Sequence, residues 1–424
     1  MLLAACAVVG SSTAFAQAPA VEVPLVPVAA PASAPHIQTA MEALAQDARE
    51  YARQMNVPLD EAMRRLRAQE ESVATTDRIQ ALYRDRLAGI AIEHLPAYRI
   101  VVLLTGSAPV PDQSVFAGGM NVPIVFHTGA IATRDEILAA MSAHREEIRE
   151  KMPGSAIGFD PRTGALVVMA SPSDAERFGR DEMVSQLEAM TGVPVQVRIL
   201  GTTTHDLSAA GGLRVVGTDK YSGGRFACTT GFVVADGRQF AIATAAHCPD
   251  TLTYSRPDGA KSELAYGGEW GARYQDVQIN ISPEPLLPLF SIDGTEAEAR
   301  VLTSWRNRAS TRAGDAVCHR GAKTGYSCSL VELVDFAPPR DLCGGPCDPT
   351  WVTVAGPVCK RGDSGGPVFN GTIAFGIVKG GDYSPDGTCS FYYYMSTDYL
   401  PHGWTLLHGQ APVPTRRSPD PTQP

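Results

Sequence analysis

The spacing of apolar residues changes character along the chain. From residue 37 to about 95, apolar residues recur every three or four positions, which predicts amphipathic helices. A second helix is predicted to begin after Pro58-Leu59-Asp60, because Pro and Asp favour a first helical turn. The apolar face of the first helix comprises Met41, Leu44, Ala48, Tyr51 and Met55, and that of the second comprises Ala62, Met63 and Leu66.

Beyond these helices the pattern mixes strands with one more helix. Two apolar runs around a turn at 160–164 predict a hairpin over 157–169. The sequence Ser173-Asp174-Ala175-Glu176 predicts a capping box for a helix that ends at Gly192. Alternating apolar residues over 193–199 then predict a strand. Residues 37–204 are therefore predicted to form an α+β domain.

From residue 213 onward, short apolar runs alternate with Gly, Pro and Asp turns, and no long helical period occurs. This pattern predicts an all-β domain over 205–408. The cysteines follow the same division, because every cysteine except Cys6 lies between 228 and 389. Their even number suits disulfides in an oxidising compartment. We place the domain boundary near 200–213.

The sequence Arg-Gly-Asp-Ser-Gly-Gly-Pro at 361–367 suits a nucleophile. Gly362 and Gly365 permit a tight turn and leave the approach to the Ser364 hydroxyl open. The alternative is an ordinary surface turn, since Gly, Asp, Ser and Pro are common in turns. A serine hydroxyl is a weak nucleophile without a general base, so a suitable histidine decides between the two.

His247 is the candidate base. It follows two short apolar strands joined by the Asp236-Gly237 turn, so it is predicted to lie just past a strand end. The alternatives are a metal ligand or a core histidine. Apart from the adjacent Cys248, no further His or Cys lies nearby with metal-ligand spacing.

Asp276 is the candidate for the carboxylate that orients the imidazole, because it opens an alternating strand. The alternative is that Asp276 is an exposed strand end. Three other aspartates lie among turn residues, where a solvated Asp is common; they are Asp250, Asp258 and Asp293.

The order His247, Asp276, Ser364, with Thr-Ala-Ala-His-Cys at 244–248, resembles the chymotrypsin-like serine peptidases. The sequence at 213–218, the short gap from there to Cys228, and the segment 318–328 resemble the bacterial α-lytic protease and streptogrisin branch. The resemblance covers about 210–405. It implies two perpendicular six-stranded antiparallel β-barrels with the active site between them, and no cofactor or metal.

The same resemblance implies further site features. The backbone N–H groups of Gly362 and Ser364 would form an oxyanion hole. The implied disulfides are Cys228–Cys248, Cys318–Cys328 and Cys359–Cys389. Cys343 and Cys347 remain, and they either close a small loop or, with a His, begin a zinc site.

The segment 37–204 resembles the pro-regions of this branch, which act as folding catalysts and inhibitors. Such help is physically reasonable, because barrels built from non-local strand pairs fold slowly. The alternative is an ordinary binding domain that stays attached. We expect the chain to cut itself between about Ala209 and Arg214, without any role for a free amine at Val215.

A buried Asp363 would then need a partner other than a new N-terminus, because an unpaired buried carboxylate is costly. Arg320 is the predicted partner. His319 stands where the branch more often carries its Arg, so the alignment of this segment with the branch leaves two positions for the partner, 319 and 320.

By resemblance, Val358, Val378, Gly380 and Gly381 line the pocket for the side chain that precedes the scissile bond. No acidic residue stands just ahead of Cys359, so we expect a preference for medium to large apolar residues.

Lys379 departs from the branch, which usually has a Ser bonded to the triad carboxylate at this position. We expect the Lys379 side chain to face solvent. The alternative is that its ammonium lies near Asp276 and competes with His247 for that carboxylate.

The N-terminus predicts export. An apolar run followed by Ala14-Phe15-Ala16 indicates a signal peptide over 1–16, and Leu3-Ala4-Ala5-Cys6 offers lipoprotein anchoring as the alternative. We expect a flexible lead-in over 17–36 and a disordered tail over 409–424. No later segment has enough consecutive apolar residues for a membrane span.

The formal net charge of −9 gives no sign of nucleic-acid binding. Two functions stay open: a secreted or periplasmic serine endopeptidase made as a pre-pro-enzyme, and an inactive relative that only binds. For the first we expect a monomer whose partners are protein or peptide substrates and its own pro-region.

Overall fold

The computed structural model describes residues 36–152, 155–199, 205–206, 212–218, 223–255, 261–282, 286–294, 298–356, 358–383 and 389–409. They belong to one compact unit, Ala34–Pro424. The predicted signal peptide with Cys6, nearly all of the lead-in and nearly all of the tail lie outside the described residues. None of the described helices is long and apolar enough to cross a membrane.

The N-terminal part combines helices with short strands. The helices are α1 (Ala40–Met55), α2 (Leu59–Glu71), α3 (Val73–Leu82), α4 (Arg134–Lys151), α5 (Pro172–Phe178) and α6 (Arg180–Thr191). The strands are β1 (His36–Gln38), β2 (Leu87–Glu93), β3 (Arg99–Thr105), β4 (Gln113–Ala117), β5 (Met120–Ala130), β6 (Ala156–Asp160), β7 (Ala165–Ala170) and β8 (Val195–Ile199).

Two helix predictions need correction. The helical region ends at Leu82, because the apolar residues of β2 are buried on both faces of the strand. The helix predicted from a capping box at Ser173 is two helices. The hydroxyl of Ser171 caps α5 by accepting from the backbone N–H of Asp174, Pro172 takes the first helical position, and Gly179 adopts a φ of 77° that ends α5.

The C-terminal part is built mainly from strands, in agreement with its sequence pattern. They are β9 (His205–Asp206), β10 (Arg214–Thr218), β11 (Arg225–Thr229), β12 (Val233–Ala235), β13 (Phe240–Thr244), β14 (Leu252–Ser255), β15 (Lys261–Trp270), β16 (Val277–Ile281), β17 (Leu289–Ser291), β18 (Glu298–Val301), β19 (Ser304–Trp305), β20 (Ala316–Gly321), β21 (Gly325–Leu330), β22 (Val334–Ala337), β23 (Val352–Ala355), β24 (Pro367–Asn370), β25 (Ile373–Tyr383), β26 (Cys389–Ser396) and β27 (Thr405–Leu406).

Two large sheets organise these strands. One runs in the order β11-β10-β14-β15-β16-β13-β12-β27, and the other runs β21-β20-β24-β25-β26-β23, with β9 and β19 also paired to β25. A smaller sheet crosses the predicted domain boundary, because β22 pairs with β6 in the order β22-β6-β7-β8. The N-terminal strands β2, β3, β5 and β4 form a sheet of their own.

The two parts of the chain also share a core. Met169 from the β6–β7 hairpin lies in one apolar cluster with Val277, Trp351 and Ile377. The two parts approach closely at Gly158, where a Cβ would come within 3.1 Å of the Leu333 side chain. The N-terminal part therefore contributes to the same hydrophobic core as the C-terminal sheets.

A buried ion pair joins helix α1 to the C-terminal part. The guanidinium of Arg300, completely buried, donates to Asp47 Oδ1 at 2.8 Å, to Gln38 Oε1 at 2.9 Å and to the carbonyl of Gly371 at 3.0 Å. The Gly371 N–H and the Tyr326 hydroxyl also donate to Asp47. Removing either charge would leave the other buried without its partner, so this contact holds α1 in one position.

A buried histidine forms a second contact between the parts. His94 Nε2 lies 2.8 Å from the carbonyl of Gly314, so Nε2 carries the proton and donates. Its Nδ1 then accepts from the Tyr51 hydroxyl at 2.6 Å. Burial lowers the pKa of His94 to about 4, with a further lowering from the charge of Arg65.

The structure joins the cysteines as the resemblance implies. Cys228–Cys248, Cys318–Cys328 and Cys359–Cys389 are bonded, and Cys343 bonds Cys347 to close the small loop. Within the described residues one cluster has metal-ligand geometry, formed by Asp47 with Cys318 and Cys328. Those two cysteines are bonded to each other, which removes the thiolates that a metal would need.

Protonation of His94 is expected to destabilise the fold. Because the pKa of His94 is lowered in the folded state, its contribution is fully present above about pH 6.5 and is lost as the pH falls toward 4. The loss amounts to up to about 3 kcal/mol. Urea unfolding of the Ser364→Ala chain between pH 7 and 4 measures it. His94→Gln should flatten the pH dependence, whereas His127→Gln, at an exposed position on β5, should leave it as in wild type. If the free energy of unfolding depends equally on pH in all three chains, His94 is not the group responsible.

Candidate active site

The sequence around Ser364 forms a tight turn before β24. Gly362 has a φ of 132° and Gly365 a φ of 86°, values that side-chain-bearing residues rarely adopt. A Cβ at Gly365 would come within 2.2 Å of the carbonyl of Thr229, and the Thr229 N–H donates to the carbonyl of Ser364 at 2.8 Å. The turn is thereby packed against the end of β11, in the other large sheet.

His247 and Asp276 come together because their strands are neighbours. Strand β13 pairs antiparallel with β16 and aligns Thr244 with Gln278, so the residues after β13 and before β16 lie at the same end of the sheet. The Nδ1 of His247 lies 2.9 Å from Asp276 Oδ2, and the backbone N–H of His247 donates to Oδ1 at 3.3 Å. The imidazole is therefore fixed by both its ring and its backbone.

The turn places the serine hydroxyl on the other side of the imidazole. Ser364 Oγ lies 2.9 Å from His247 Nε2 and 3.2 Å from the carbonyl of Lys379. The three residues predicted from the sequence thus form a continuous chain of hydrogen bonds. With Nδ1–H donating to Asp276, Nε2 is left as the acceptor that faces the hydroxyl.

Asp276 is held ionised although it is buried. Burial would raise the pKa of this carboxyl, but the charges and hydrogen bonds of His247, followed by the charge of Lys379, outweigh burial and lower the pKa to about 2. The backbone N–H of Asp276 is directed at the sulfur of Met395 at 3.3 Å.

Within the described residues, the backbone N–H groups of Gly362 and Ser364 donate to no protein acceptor. Asp363, Gly365 and Gly366 use their N–H groups for hydrogen bonds to backbone carbonyls. Those of Gly362 and Ser364 are not used in this way. They flank Asp363, and they are the two groups that the sequence predicts for an oxyanion hole.

The carboxylate of Asp363 is completely buried, and its partners differ from those predicted. The Thr324 hydroxyl donates to Oδ2 at 2.7 Å. The backbone N–H groups of Lys323, Thr324 and Lys360 donate as well. His319 Nε2 lies 4.0 Å away, and burial lowers the pKa of this imidazole. The turn at 360–364 is therefore held by hydrogen bonds from the β20–β21 turn and from its own Lys360 N–H.

The prediction that Arg320 pairs with Asp363 is wrong. The guanidinium of Arg320 donates to the carbonyls of Gly321 and Asp293. The Cα of Gly321 lies against the carboxylate instead, since a Cβ there would come within 2.0 Å of Asp363 Oδ1. Backbone donors replace the cation because the β20–β21 turn directs its N–H groups at Asp363.

Val215 lies inside β10, paired to Cys228 on one side and Tyr254 on the other.

The predicted pocket residues lie along β25 and the adjacent loop. Val358 is exposed, whereas Val378 is buried in a cluster with Tyr392 and Tyr394. A Cβ at Gly381 would come within 3.0 Å of Cys359 Sγ, so the loop after Val358 lies against β25. Gly380 and Gly381 pair antiparallel with Asp206 and His205 of β9.

The expectation that Lys379 faces solvent is wrong. The side chain is only 2% exposed, and Nζ lies 3.5 Å from Asp276 Oδ2. The cause is a β-bulge, because Val378 pairs with Tyr394 and Gly380 pairs with Tyr393, which leaves Lys379 as the extra residue.

The sequence predicts the chemistry-bearing residues but gives no indication of Thr324, and it favours the wrong one of the two positions considered for Lys379. Thr324 was overlooked because a threonine in a turn carries no distinctive signal. The burial of Lys379 had one available sign, the Gly380-Gly381 pair, since glycines inside a strand often mark a bulge.

Comparisons with known proteins agree with the resemblance. No family model matches the chain. Streptogrisin-D of Streptomyces griseus is 28% identical over 268 residues, which cover 60% of this chain and 62% of that protein. Serine protease 1 of Streptomyces fradiae is 27% identical over 249 residues, which cover 58% and 64%. The chain thus spans about six tenths of the length of these curated relatives.

Among solved structures, Thermobifida fusca protease A is 23% identical and superimposes with a TM-score of 0.36, covering 47% of this chain and 98% of that one. The sequence relatives confirm that the chain is similar to the chymotrypsin-like serine peptidases of bacteria.

The support of Asp363 is expected to depend on Thr324. Thr324→Val keeps the shape of the side chain but removes a hydrogen bond to a charged group, which should lower the free energy of unfolding by about 1.5–3 kcal/mol. Thr324→Ser keeps the hydroxyl and serves as the control. Urea unfolding of the purified variants measures both. If Thr324→Val and Thr324→Ser lose the same stability, the hydroxyl does not support Asp363 and the structural assignment fails.

Proposed function

We propose that the chain is a serine endopeptidase that hydrolyses peptide bonds through an acyl-enzyme. The observation that carries the proposal is the hydrogen-bonded chain from Ser364 through His247 to Asp276, with distances of 2.9 Å at both links. The similarity to streptogrisins and other serine proteases supports the same reaction. Because Ser364, His247 and Asp276 are all present and hydrogen-bonded, the site gives no support to an inactive relative that only binds.

In the acylation step, Ser364 Oγ forms a bond to the substrate carbonyl carbon and its proton moves to His247 Nε2. The carbonyl oxygen becomes an oxyanion, for which the N–H groups of Gly362 and Ser364 are the donors; such stabilisation is usually worth several kcal/mol. Asp276, ionised and bonded to Nδ1–H, stabilises the imidazolium. The C–N bond then breaks, and His247 gives its proton to the leaving amine.

In the deacylation step, a water molecule takes the place of the amine. His247 accepts a proton from that water as its oxygen attacks the acyl carbon, and the same two backbone N–H groups stabilise the second oxyanion. Collapse of this intermediate breaks the ester bond and returns the proton to Ser364. The carboxylic acid product leaves, and no cofactor or metal takes part in any step.

The fold proposed for the protease part is a pair of six-stranded β-barrels with the site between them. The support comes from where the residues originate. His247 follows β13 and Asp276 precedes β16 of one large sheet, whereas Ser364 precedes β24 and Lys379 lies in β25 of the other. A substrate between the two sheets would meet the base from one and the nucleophile from the other.

For specificity we propose a medium to large apolar residue before the scissile bond. Val358, Val378, Gly380 and Gly381 are the proposed pocket residues. They bring no carboxylate with them, so a Lys or Arg of the substrate would have no partner there.

We further propose that residues 37–204 are a pro-region that assists folding and then inhibits. Three observations support this role: strand β22 extends the sheet of β6, β7 and β8, the two parts share an apolar core, and Arg300 and Asp47 form a buried ion pair. Slow formation of non-local strand pairs would benefit from such a template. An attached binding domain remains the alternative.

Self-processing fits the pairing of His205 and Asp206 with Gly381 and Gly380. Antiparallel addition of a strand is a common way for a peptide to dock. This pairing would bring the chain just ahead of the proposed cut, between about Ala209 and Arg214, alongside the strand whose Lys379 carbonyl contacts Ser364. We propose that the mature enzyme is a secreted or periplasmic monomer, a location that its disulfides suit.

Peptide hydrolysis is expected to require all three residues of the chain of hydrogen bonds. The purified wild-type chain should cleave a mixed peptide library, mainly after apolar residues, and Ser364→Ala should abolish cleavage. Asp276→Asn should lower kcat by about four orders of magnitude, because an amide stabilises the wrong tautomer. Mass spectrometry of the products reads the cut sites. Cleavage mainly after Lys or Arg would overturn the proposed pocket, and full activity of Ser364→Ala would overturn the mechanism.

Self-processing predicts that the Ser364→Ala precursor stays intact when purified alone, while the wild-type precursor is cut between about Ala209 and Arg214. N-terminal sequencing of the larger fragment locates the cut. Adding a trace of active wild type to the Ser364→Ala precursor tests whether the site is accessible in that variant. Processing of the isolated variant at the wild-type rate would exclude self-cleavage. Loss of activity on extending the mature N-terminus by two residues would show that a free amine matters.

A further inference from the structure

Lys379 occupies an unusual position for a cation. It is the extra residue of the bulge between Val378 and Gly380, so its carbonyl and its side chain are both turned away from the regular strand pairing. The carbonyl oxygen lies 3.2 Å from Ser364 Oγ, and the ammonium lies 3.5 Å from Asp276. One residue thus contacts the first and the last member of the chain of hydrogen bonds.

The surroundings of this ammonium are dry. Its Nζ lies 5.6 Å from the centre of the Trp351 ring, itself completely buried. Tyr393 from β26 packs edge-on against the same ring. Water therefore screens the charge of Lys379 far less than it would at the surface.

The charged and titratable groups around Asp276, as far as the described residues define them, come from three elements. The loop after β13 supplies His247, β25 supplies Lys379, and the carboxylate itself precedes β16, while Tyr393 of β26 lies against the Trp351 ring that faces Lys379. Arg273, whose carbonyl accepts from the indole of Trp351, directs its guanidinium to Asp348 at the surface. Arg308, which donates to the carbonyl beside Trp351, is paired with Asp335.

We propose, on the basis of the peptidase function above, that Lys379 is a positioning residue that keeps the Ser364–His247 pair active in acid. Its ammonium balances the charge of Asp276, so the imidazole of His247 faces a neutral carboxylate–ammonium pair instead of a lone negative charge. Neutral His247, the form that accepts the serine proton, then persists to lower pH.

The sign of the effect follows from electrostatics. A lone carboxylate beside an imidazole favours the imidazolium, and a cation in the same pocket opposes that preference. Acid inactivation of a serine peptidase occurs when its base is protonated before it can act. Removing the ammonium should therefore move the acid limb of the activity profile upward, by about one pH unit for a partly desolvated charge at this range.

The same balance carries a cost during the reaction. When His247 takes the proton of Ser364, a neutral pair stabilises the imidazolium less than a lone Asp276 would. Lys379 is therefore expected to extend activity into acid while lowering the plateau rate. A residue that only filled space would move neither the acid limb nor the plateau in this correlated way.

The test uses the full chain and measures the second-order rate at which a fluorophosphonate labels Ser364, from pH 4 to pH 9. In Lys379→Met the midpoint of the acid limb should rise by about one pH unit, so that the rate at pH 5, relative to its own plateau, falls about tenfold. Lys379→Arg keeps a cation and should keep the midpoint low. Arg238→Met removes an exposed cation from the β12–β13 turn and should leave the profile in place.

The outcomes separate the two proposals. If wild type is not labelled at any pH, the peptidase function fails and this inference fails with it. If wild type is labelled and Lys379→Met has the same midpoint, only the role of Lys379 is overturned. Lys379→Gln provides a second neutral variant, and circular dichroism checks that each chain folds. If both neutral variants unfold while Lys379→Arg folds and labels, the cation is structural and the inference is rejected.

Discussion

Burial of the Asp276 carboxylate is the constraint on which the site depends. A carboxylate in an apolar pocket is costly unless its oxygens have partners. Here His247 contributes its ring and its backbone N–H, and Lys379 contributes a charge. Each partner comes from a different segment. Because leaving Asp276 unpaired would be costly, these contacts fix the positions of the loop after β13 and of β25 relative to β16.

The Ser364 turn solves a related problem. Its backbone is bent by two glycines in conformations that other residues avoid, and such strain persists only when the surroundings hold it. Asp363 fixes the turn by accepting hydrogen bonds from Thr324 and from nearby backbone N–H groups. The backbone N–H of Thr229 adds a hydrogen bond to the carbonyl of Ser364. Buried polar groups that are fully satisfied rigidify their surroundings. The nucleophile is therefore presented in one conformation.

The N-terminal part is fastened to the C-terminal part by more than apolar contact. Asp47 pairs with Arg300 in a buried position, and the buried Arg306 pairs with the half-buried Glu70 of α2 as well as with Asp315. Such pairs add little net stability, because desolvation offsets their attraction, but they penalise any other alignment. Combined with a strand pairing that crosses the predicted boundary, they specify how the two parts dock.

Local sequence predicts the chemistry and the class of most segments, although β2 and the division between α5 and α6 were not predicted. Ser364, His247 and Asp276 stand in local motifs whose turns and strands depend on near neighbours, so their types and order were enough to predict that they meet. Tertiary structure decided what lies around them. The burial of Lys379 depends on a bulge between β25 and β26, and the support of Asp363 depends on a turn about 40 residues away. Local periodicity carries no information about which side chain an extra residue in a strand will meet, because that contact exists only after distant strands have paired.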